Sequence, residues 1–407
     1  MNMETISPLT RVPGFKAVGV ACGLKQSGQP DLALVLADRD CSAAAVFTTN
    51  AFKAAPVLYD TALLRRNGGR LRAVLVNAGN ANAVTGEQGL RDAEAMARLA
   101  ETTGHLPPDS VFVMSTGVIG HHLPMDRVRR GIALAWEAVQ SEAGERGLNA
   151  AQAIMTTDLV PKQAFRQVGI GGRQVSIGGI AKGSGMIHPN MATMLAVLVT
   201  DAVIAPPVLA DTLRRVVSQT FNRITVDGDT STNDTVVILA NGAAGGETLL
   251  PDTPALAEFE QALTGVCTDL ARAIARDGEG ATKLVEVQVL GAASPAEAEA
   301  AAKTVATSPL VKTALFGNDP NWGRVLAAVG RSGIQVDPAR VSLRLGDFLL
   351  VQSGEPVAFD APAVSRWLSQ QTEVSVQVDL GLGNGSATVW TCDLSYRYVE
   401  INAEYHT

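Results

Sequence analysis

The apolar positions of this chain fall into short alternating runs, separated by stretches with helical spacing. The alternating runs predict strands at Ala17–Ala21, Leu32–Leu36 and Ala44–Thr48, bounded by Gly, Asp and Asn. Pro56 stands where a helix can begin, and Leu58–Arg66 has helical spacing. Arg72–Val76 predicts a strand ending in the polar run Asn77–Asn82, Gly86–Thr103 an amphipathic helix, and Val111–Ser115 a strand running into Thr116-Gly117. Helices at Met125–Gln140 and Asn149–Met155 follow, then a strand pair at Gln163–Val168 and Gln174–Ile180. Met194–Thr200 is apolar enough for a buried strand. Helices are next expected at Pro206–Phe221 and Pro254–Arg276, the second with its apolar residues on one stripe, and strands at Val236–Ala240 and Leu284–Leu290. The remainder predicts helices at Ala296–Thr307, Pro309–Leu315 and Trp322–Val329, and strands at Val341–Leu345, Val374–Val378 and Ser386–Thr391. Many strands follow one another without a helix between them, so the pattern favours an α+β layered sandwich over a parallel doubly wound sheet.

Between the strand pair and the buried run lies Lys182-Gly-Ser-Gly-Met-Ile-His-Pro-Asn-Met-Ala-Thr-Met-Leu195, a glycine-rich and proline-stiffened loop driven into Thr193. One reading makes Gly-Ser-Gly a turn and Thr193 the first residue of a strand. The chemical reading is that the protein cuts its own Ala192–Thr193 bond. A lone threonine hydroxyl is a poor nucleophile, but an α-amino group on the same residue can act as its general base. Such an amine has an unperturbed pKa near ~8, so a useful fraction is neutral at working pH. Strain in the loop would favour attack of the hydroxyl on the preceding carbonyl.

Composition mainly excludes. The chain has 407 residues, is 46% hydrophobic and carries a net charge of −7, which allows two or three layers and argues against nucleic acid or an anionic membrane as partner. Aromatic residues make up 4%, too few to favour base stacking. Cys22, Cys41, Cys267 and Cys392 are scattered, with no CxxC pair and no His at ligand spacing, so they are expected as buried thiols in a reducing compartment. No secretory pattern opens the chain and no apolar run could span a bilayer, which makes the cytoplasm the expected location. GxGxxG after a first strand and Walker A are both missing, so no nucleotide cofactor is expected.

Acyl transfer needs donors aimed at a developing oxyanion, and Thr116 beside Gly117 offers a hydroxyl next to an N–H where the backbone can approach closely. A strand-to-loop turn is the plain alternative. Lys182 is either a solvated charge or a partner for a substrate carboxylate. Glu279, flanked by glycines after the long helix, is either part of a helix cap or a partner for an ammonium group. The polar run Phe221–Asp234 lacks EF-hand spacing and is expected to be a hydrogen-bonded scaffold without metal, and His121-His122 a solvent-facing pair.

Together these stretches resemble the ornithine acetyltransferase family, the glutamate N-acetyltransferases of arginine biosynthesis. The resemblance runs through Pro13–Ala17, Ala45–Asn50, Asn77–Asn82, Ser115–Gly120, Met155–Asp158, Lys182–Leu195, Val226–Asp234, Asp277–Lys283, Gly317–Arg324 and Asn402–Thr407. It implies autoproteolysis that leaves an α chain of residues 1–192 and a β chain of residues 193–407, with Thr193 as nucleophile. It further implies Thr116 and Gly117 as oxyanion donors, and Thr156, Lys182, Thr193, Glu279, Asn402 and Thr407 as substrate contacts, with Thr157 the alternative to Thr156. Leu159 departs from the family pattern, which has Thr there. The implied fold is one shared with self-cleaving aminopeptidases, and the implied assembly is an α2β2 heterotetramer. The implied reaction carries acetyl from N2-acetylornithine to glutamate through an acetyl-threonyl enzyme, with acetyl-CoA as a second possible donor and no cofactor. The rivals are a self-cleaving N-terminal-nucleophile aminopeptidase or amidase of the same fold, and a non-catalytic binding protein.

Overall fold

Two sheets carry the fold of the computed structural model, which describes residues 6–188 and 194–404. The first contains β1 (Phe15–Val20), β2 (Leu32–Phe47), β3 (Arg70–Asn80), β4 (Val111–Val118), β5 (Lys162–Ile170), β6 (Arg173–Lys182), β7 (Leu195–Thr200) and β8 (Thr235–Ala240). Its spatial order is β4-β3-β2-β8-β7-β6-β5, with β1 paired to β2. The second contains β9 (Leu284–Ala292), β10 (Ser342–Leu345), β11 (Phe348–Gln352), β12 (Glu355–Pro356), β13 (Glu373–Asp379) and β14 (Gly385–Cys392), in the order β12-β11-β10-β13-β9-β14. This mixed, layered arrangement is the α+β architecture that the apolar pattern predicts.

Every residue of β7 and β8 is buried, which is why both read as unbroken apolar runs rather than alternating ones. On one face, α6 (Pro206–Gln219) and α7 (Pro254–Arg276) pack Leu213, Phe259, Val266 and Leu270 against Leu198 and Ile238. On the other, Val197 and Leu239 meet Leu9, Val12 and Ile154. Farther along the sheet, α2 (Gly86–Gly104) and α3 (Met125–Val139) bury Met96 and Ile132 against Leu34, Leu75 and Val113. In the second sheet, the small residues Ala298, Ala301 and Ala302 let α8 (Pro295–Ala306) lie close on Val287 and Val389. The long helix α7 opens with Pro254 behind a Thr253 cap whose hydroxyl accepts from the Leu256 amide. Its far end delivers the chain from one sheet to the other at Asp277.

Several boundaries differ from the pattern. The strands expected at Leu32–Leu36 and Ala44–Thr48 are one strand, β2, bent where the exposed Asp38-Arg39-Asp40 interrupts the apolar run. The ladder shifts register between Leu36 and Cys41, and β2 then goes on to pair with β8. Polar residues also continue two strands. Asn77–Asn80 of β3 runs parallel to Ser115–Val118 of β4, so the ladder reaches past the apolar cores of both. The helix expected at Asn149–Met155 is the single turn α5 (Ala150–Ala153), preceded by α4 (Glu142–Arg146). β11, β12, α11 (Ala361–Gln370) and α12 (Tyr396–Glu404) have no counterpart in the expected elements. Only Val364 and Leu368 of α11 are buried, and no residue of α12 is, so neither presents an apolar stripe to read.

The four cysteines are free and buried, and no helix among the described residues is long and apolar enough to cross a membrane. Burial pushes the Cys22 and Cys41 thiols up to about 12, and raises those of Cys267 and Cys392 as well. The folded protein at pH 8 is therefore expected to react with a chromogenic disulfide reagent only on unfolding, when four thiols should appear. A rapidly reacting thiol in the native protein would contradict this.

Candidate active site

A pocket opens where the ends of β4 and β6, the start of β7 and the turn after α7 converge. It is lined by Ala81, Thr116, Gly117, Ile119, Thr156, Thr157, Lys182, Gly185, Met186, Met194, Leu195, the run Ser231–Asp234, Glu279 and Asn402. Thr116, Gly117, Thr156, Lys182, Glu279 and Asn402 thus come together from segments far apart in sequence. Thr157 lines the same pocket, so both members of that pair are present. Ala192, Thr193 and Thr407 lie outside the described residues. Met194, immediately after Thr193, lines the pocket and is held in place through its carbonyl, which accepts the Thr235 amide at 3.0 Å.

Thr116 and Gly117 belong to the end of β4 and not to a strand-to-loop turn, and asparagines brace them there. Asn233 donates to the carbonyls of Ser115 at 2.8 Å and Ala81 at 2.6 Å. The Ser115 hydroxyl donates to Asn77 at 2.6 Å, Asn77 donates to the Asn80 carbonyl, and Asn80 reaches the carbonyls of the exposed pair His121 and His122. Gly117 has φ +130°, and a Cβ there would stand 2.3 Å from the Gly79 carbonyl carbon and 2.6 Å from the Asn80 nitrogen. Only glycine fits. A hydroxyl beside a backbone N–H at such a fixed strand end can donate to a developing oxyanion. Gly117→Ala is accordingly expected to lower kcat roughly a hundredfold, about 3 kcal/mol, with a smaller change in KM, as read by steady-state kinetics.

The described part of the glycine loop, up to His188, is held by the polar run that follows α6. Met186, at φ +54°, and Ile187 donate their amides to Asp227 at 2.5 and 2.8 Å, and the Thr230 hydroxyl donates to the His188 carbonyl at 2.9 Å. The polar run Phe221–Asp234 is thus a hydrogen-bonded scaffold, as its composition suggests. Gly185 lies against Glu279, whose carboxyl carbon would be 2.4 Å from any Cβ placed there. Glu279 is buried, donates its amide to the Ser184 carbonyl and accepts from the Asn402 side chain at 2.8 Å. It follows α7 yet faces the pocket instead of capping the helix; the cap position belongs to Asp277.

Lys182 is 8% exposed, and among the described residues its ammonium makes no hydrogen bond and no ion pair. Burial pulls its pKa below the ordinary lysine value, while the charges of Asp158, Glu279 and Asp234 oppose that shift. A buried cation with no partner among the described residues, in one pocket with a carboxylate, can hold the two ends of a zwitterionic ligand. Sequence reasoning placed Asn233 only in the scaffold run, assigned no site role to Asp158 or Asp277 within their motifs, and left Lys162 unmarked. For Lys162 a signal existed. It shares the inward parity of Ala164 on β5, where a lysine is out of place unless paired.

The fold and site define an α+β enzyme with a polar pocket at the start of β7. The chain belongs to the ArgJ family, whose model matches residues 16–407. It is 52% identical over 401 residues to the arginine biosynthesis bifunctional protein ArgJ of Symbiobacterium thermophilum, covering 98% of both chains. The protein of the same name from a Synechococcus species is 50% identical, with 99% of this chain and 98% of that one covered. The crystal structure of an arginine biosynthesis bifunctional protein from Bacillus halodurans is also similar, at 48% identity and a TM-score of 0.49, over 50% of this chain and 96% of that one.

Proposed function

We propose that this chain transfers acetyl from N2-acetylornithine to glutamate through an acetyl-threonyl enzyme, within arginine biosynthesis. The observation that carries this reading is the buried Lys182 ammonium, unpartnered among the described residues, which lines one pocket with Glu279, the Thr116-Gly117 end of β4 and Met194. Relatives at about half identity are named as arginine biosynthesis bifunctional proteins, which supports acetyl-CoA as a second donor.

Thr193 first attacks the Ala192 carbonyl, and hydrolysis of the resulting ester leaves residues 1–192 and 193–407 as separate chains. They remain one body, because β6 and β7 fall on opposite sides of the cut and stay paired from Ile177–Lys182 to Leu195–Thr200. The freed amine then takes the proton of its own hydroxyl as the oxygen attacks the acetyl carbonyl. Thr116 and Gly117 donate to the oxyanion, and ornithine leaves. Glutamate's amine resolves the ester and regenerates Thr193. Lys182 meets the substrate α-carboxylate, Glu279 with Asn402 meets an ammonium group, and Thr156 and Thr407 complete the contacts. No cofactor is needed for exchange between two amides of similar energy. The assembly is an α2β2 heterotetramer in the cytoplasm.

The test is to supply acetyl-labelled N2-acetylornithine and glutamate to the purified protein and follow the label. Labelled N-acetylglutamate with ping-pong kinetics is expected. Release of labelled acetate with no dependence on glutamate would instead identify an N-terminal-nucleophile amidase. A single uncut chain on a denaturing gel, without turnover, would identify a binding protein.

A further inference from the structure

Beside the pocket lies a buried ionic cluster that has no part in the scheme above. Lys162 is 1% exposed, and its ammonium donates to Asp158 Oδ1 at 2.6 Å and to Asp277 Oδ2 at 2.5 Å. Each carboxylate in turn accepts backbone amides. Asp158 takes those of Thr156 at 3.0 Å and Gly183 at 2.7 Å, while Asp277 takes that of Leu159 at 3.0 Å. The Asp277 carbonyl also accepts the Ser184 hydroxyl at 2.6 Å. One ammonium therefore joins three turns: the one presenting Thr156, the one that follows Lys182, and the one that leads into Glu279.

As a source of stability the cluster is inefficient. Desolvating three charges offsets much of their mutual attraction, and apolar side chains of similar volume do as well or better. Charges can do something that apolar groups cannot, which is to orient backbone N–H groups in segments that have no ladder of their own. Although burial opposes ionisation, Lys182, Lys162 and the hydrogen bonds hold the Asp158 carboxyl at about 2, so it is ionised throughout the working range.

We propose that Lys162 is a positioning residue for the substrate site: through Asp158 and Asp277 it sets the separation of the Lys182 ammonium and the Glu279 carboxylate, and with it the fit of an amino acid. This rests on the acetyltransferase reading. Lys162→Met keeps the stem and removes the charge. In the folded, self-cleaved variant, KM for N2-acetylornithine and for glutamate should each rise roughly tenfold or more, with kcat within about threefold of wild type. Ornithine affinity measured by calorimetry should fall by the same factor. A purely structural role would lower the melting temperature and leave KM alone, so a folded variant with wild-type KM values overturns the proposal. If Lys162→Met does not fold, Asp277→Asn decides. It keeps an acceptor for the Leu159 amide and should raise KM in the same direction by a smaller factor; unchanged KM overturns the proposal there too. Wild-type protein that neither transfers acetyl nor binds ornithine would refute the acetyltransferase reading and this proposal with it.

Discussion

Thr193→Ala is expected to run on a denaturing gel as one 407-residue chain and to lose acetyl transfer by roughly ten-thousand-fold or more. Both losses have one cause. In the proposed cycle the hydroxyl that opens the Ala192–Thr193 bond is the hydroxyl that accepts the acetyl group, and the amine that would serve it as base exists only after the cut. In the wild type, the smaller-numbered fragment should end at Ala192, and Edman sequencing of the other should read Thr-Met-Leu-Ala. The fragments should copurify until denatured, because β7 stays hydrogen-bonded between β6 and β8. Cleavage of the Thr193→Ala chain at the same bond, or full activity in a chain where residues 192 and 193 remain joined, would end this account.

Lys182→Met should raise KM for both amino-acid substrates by about two orders of magnitude, the ~2–5 kcal/mol lost when one partner of a buried ion pair is removed. The mutated chain should still cut itself, since the proposed role of Lys182 is at the ligand carboxylate and not at the scissile bond. The wild type should show the same loss with pH. In the proposed contact only the protonated ammonium binds the carboxylate, so affinity should be full below the Lys182 pKa and fall as pH rises through it. Burial places that pKa beneath the ordinary lysine value, opposed by Asp158, so the decline in 1/KM should begin at lower pH than a solvated lysine allows. A KM that stays flat until an ordinary lysine titrates, or that is unchanged in Lys182→Met, would remove Lys182 from the substrate contacts.

Much of this molecule is legible one segment at a time. Long periodic stretches such as Pro254–Arg276 match their helix from end to end, because an apolar stripe facing a sheet leaves its period in the residues themselves. The buried run that becomes β7, the strand at Val236–Ala240 within β8, and the scaffold character of Phe221–Asp234 are local in the same sense. The glycine loop, Thr116-Gly117 and Glu279 stand out because glycines beside functional groups leave a mark in composition.

What one segment could not reveal depended on partners far along the chain. β2 is continuous through Asp38-Arg39-Asp40 because β8 takes up its pairing, and nothing near those polar residues says so. Lys162 is buried because Asp277, 115 positions away, meets its ammonium. Glu279 faces a pocket rather than capping its helix because Gly185 leaves room for its carboxylate and Asn402, 123 positions on, donates to it. Periodicity, turn chemistry and a candidate nucleophile belong to the sequence by itself, since each reflects neighbours within a few residues. Charge pairing and the convergence of eight segments on one pocket were decided only by the tertiary structure, where Coulombic attraction and burial act through space and not along the chain.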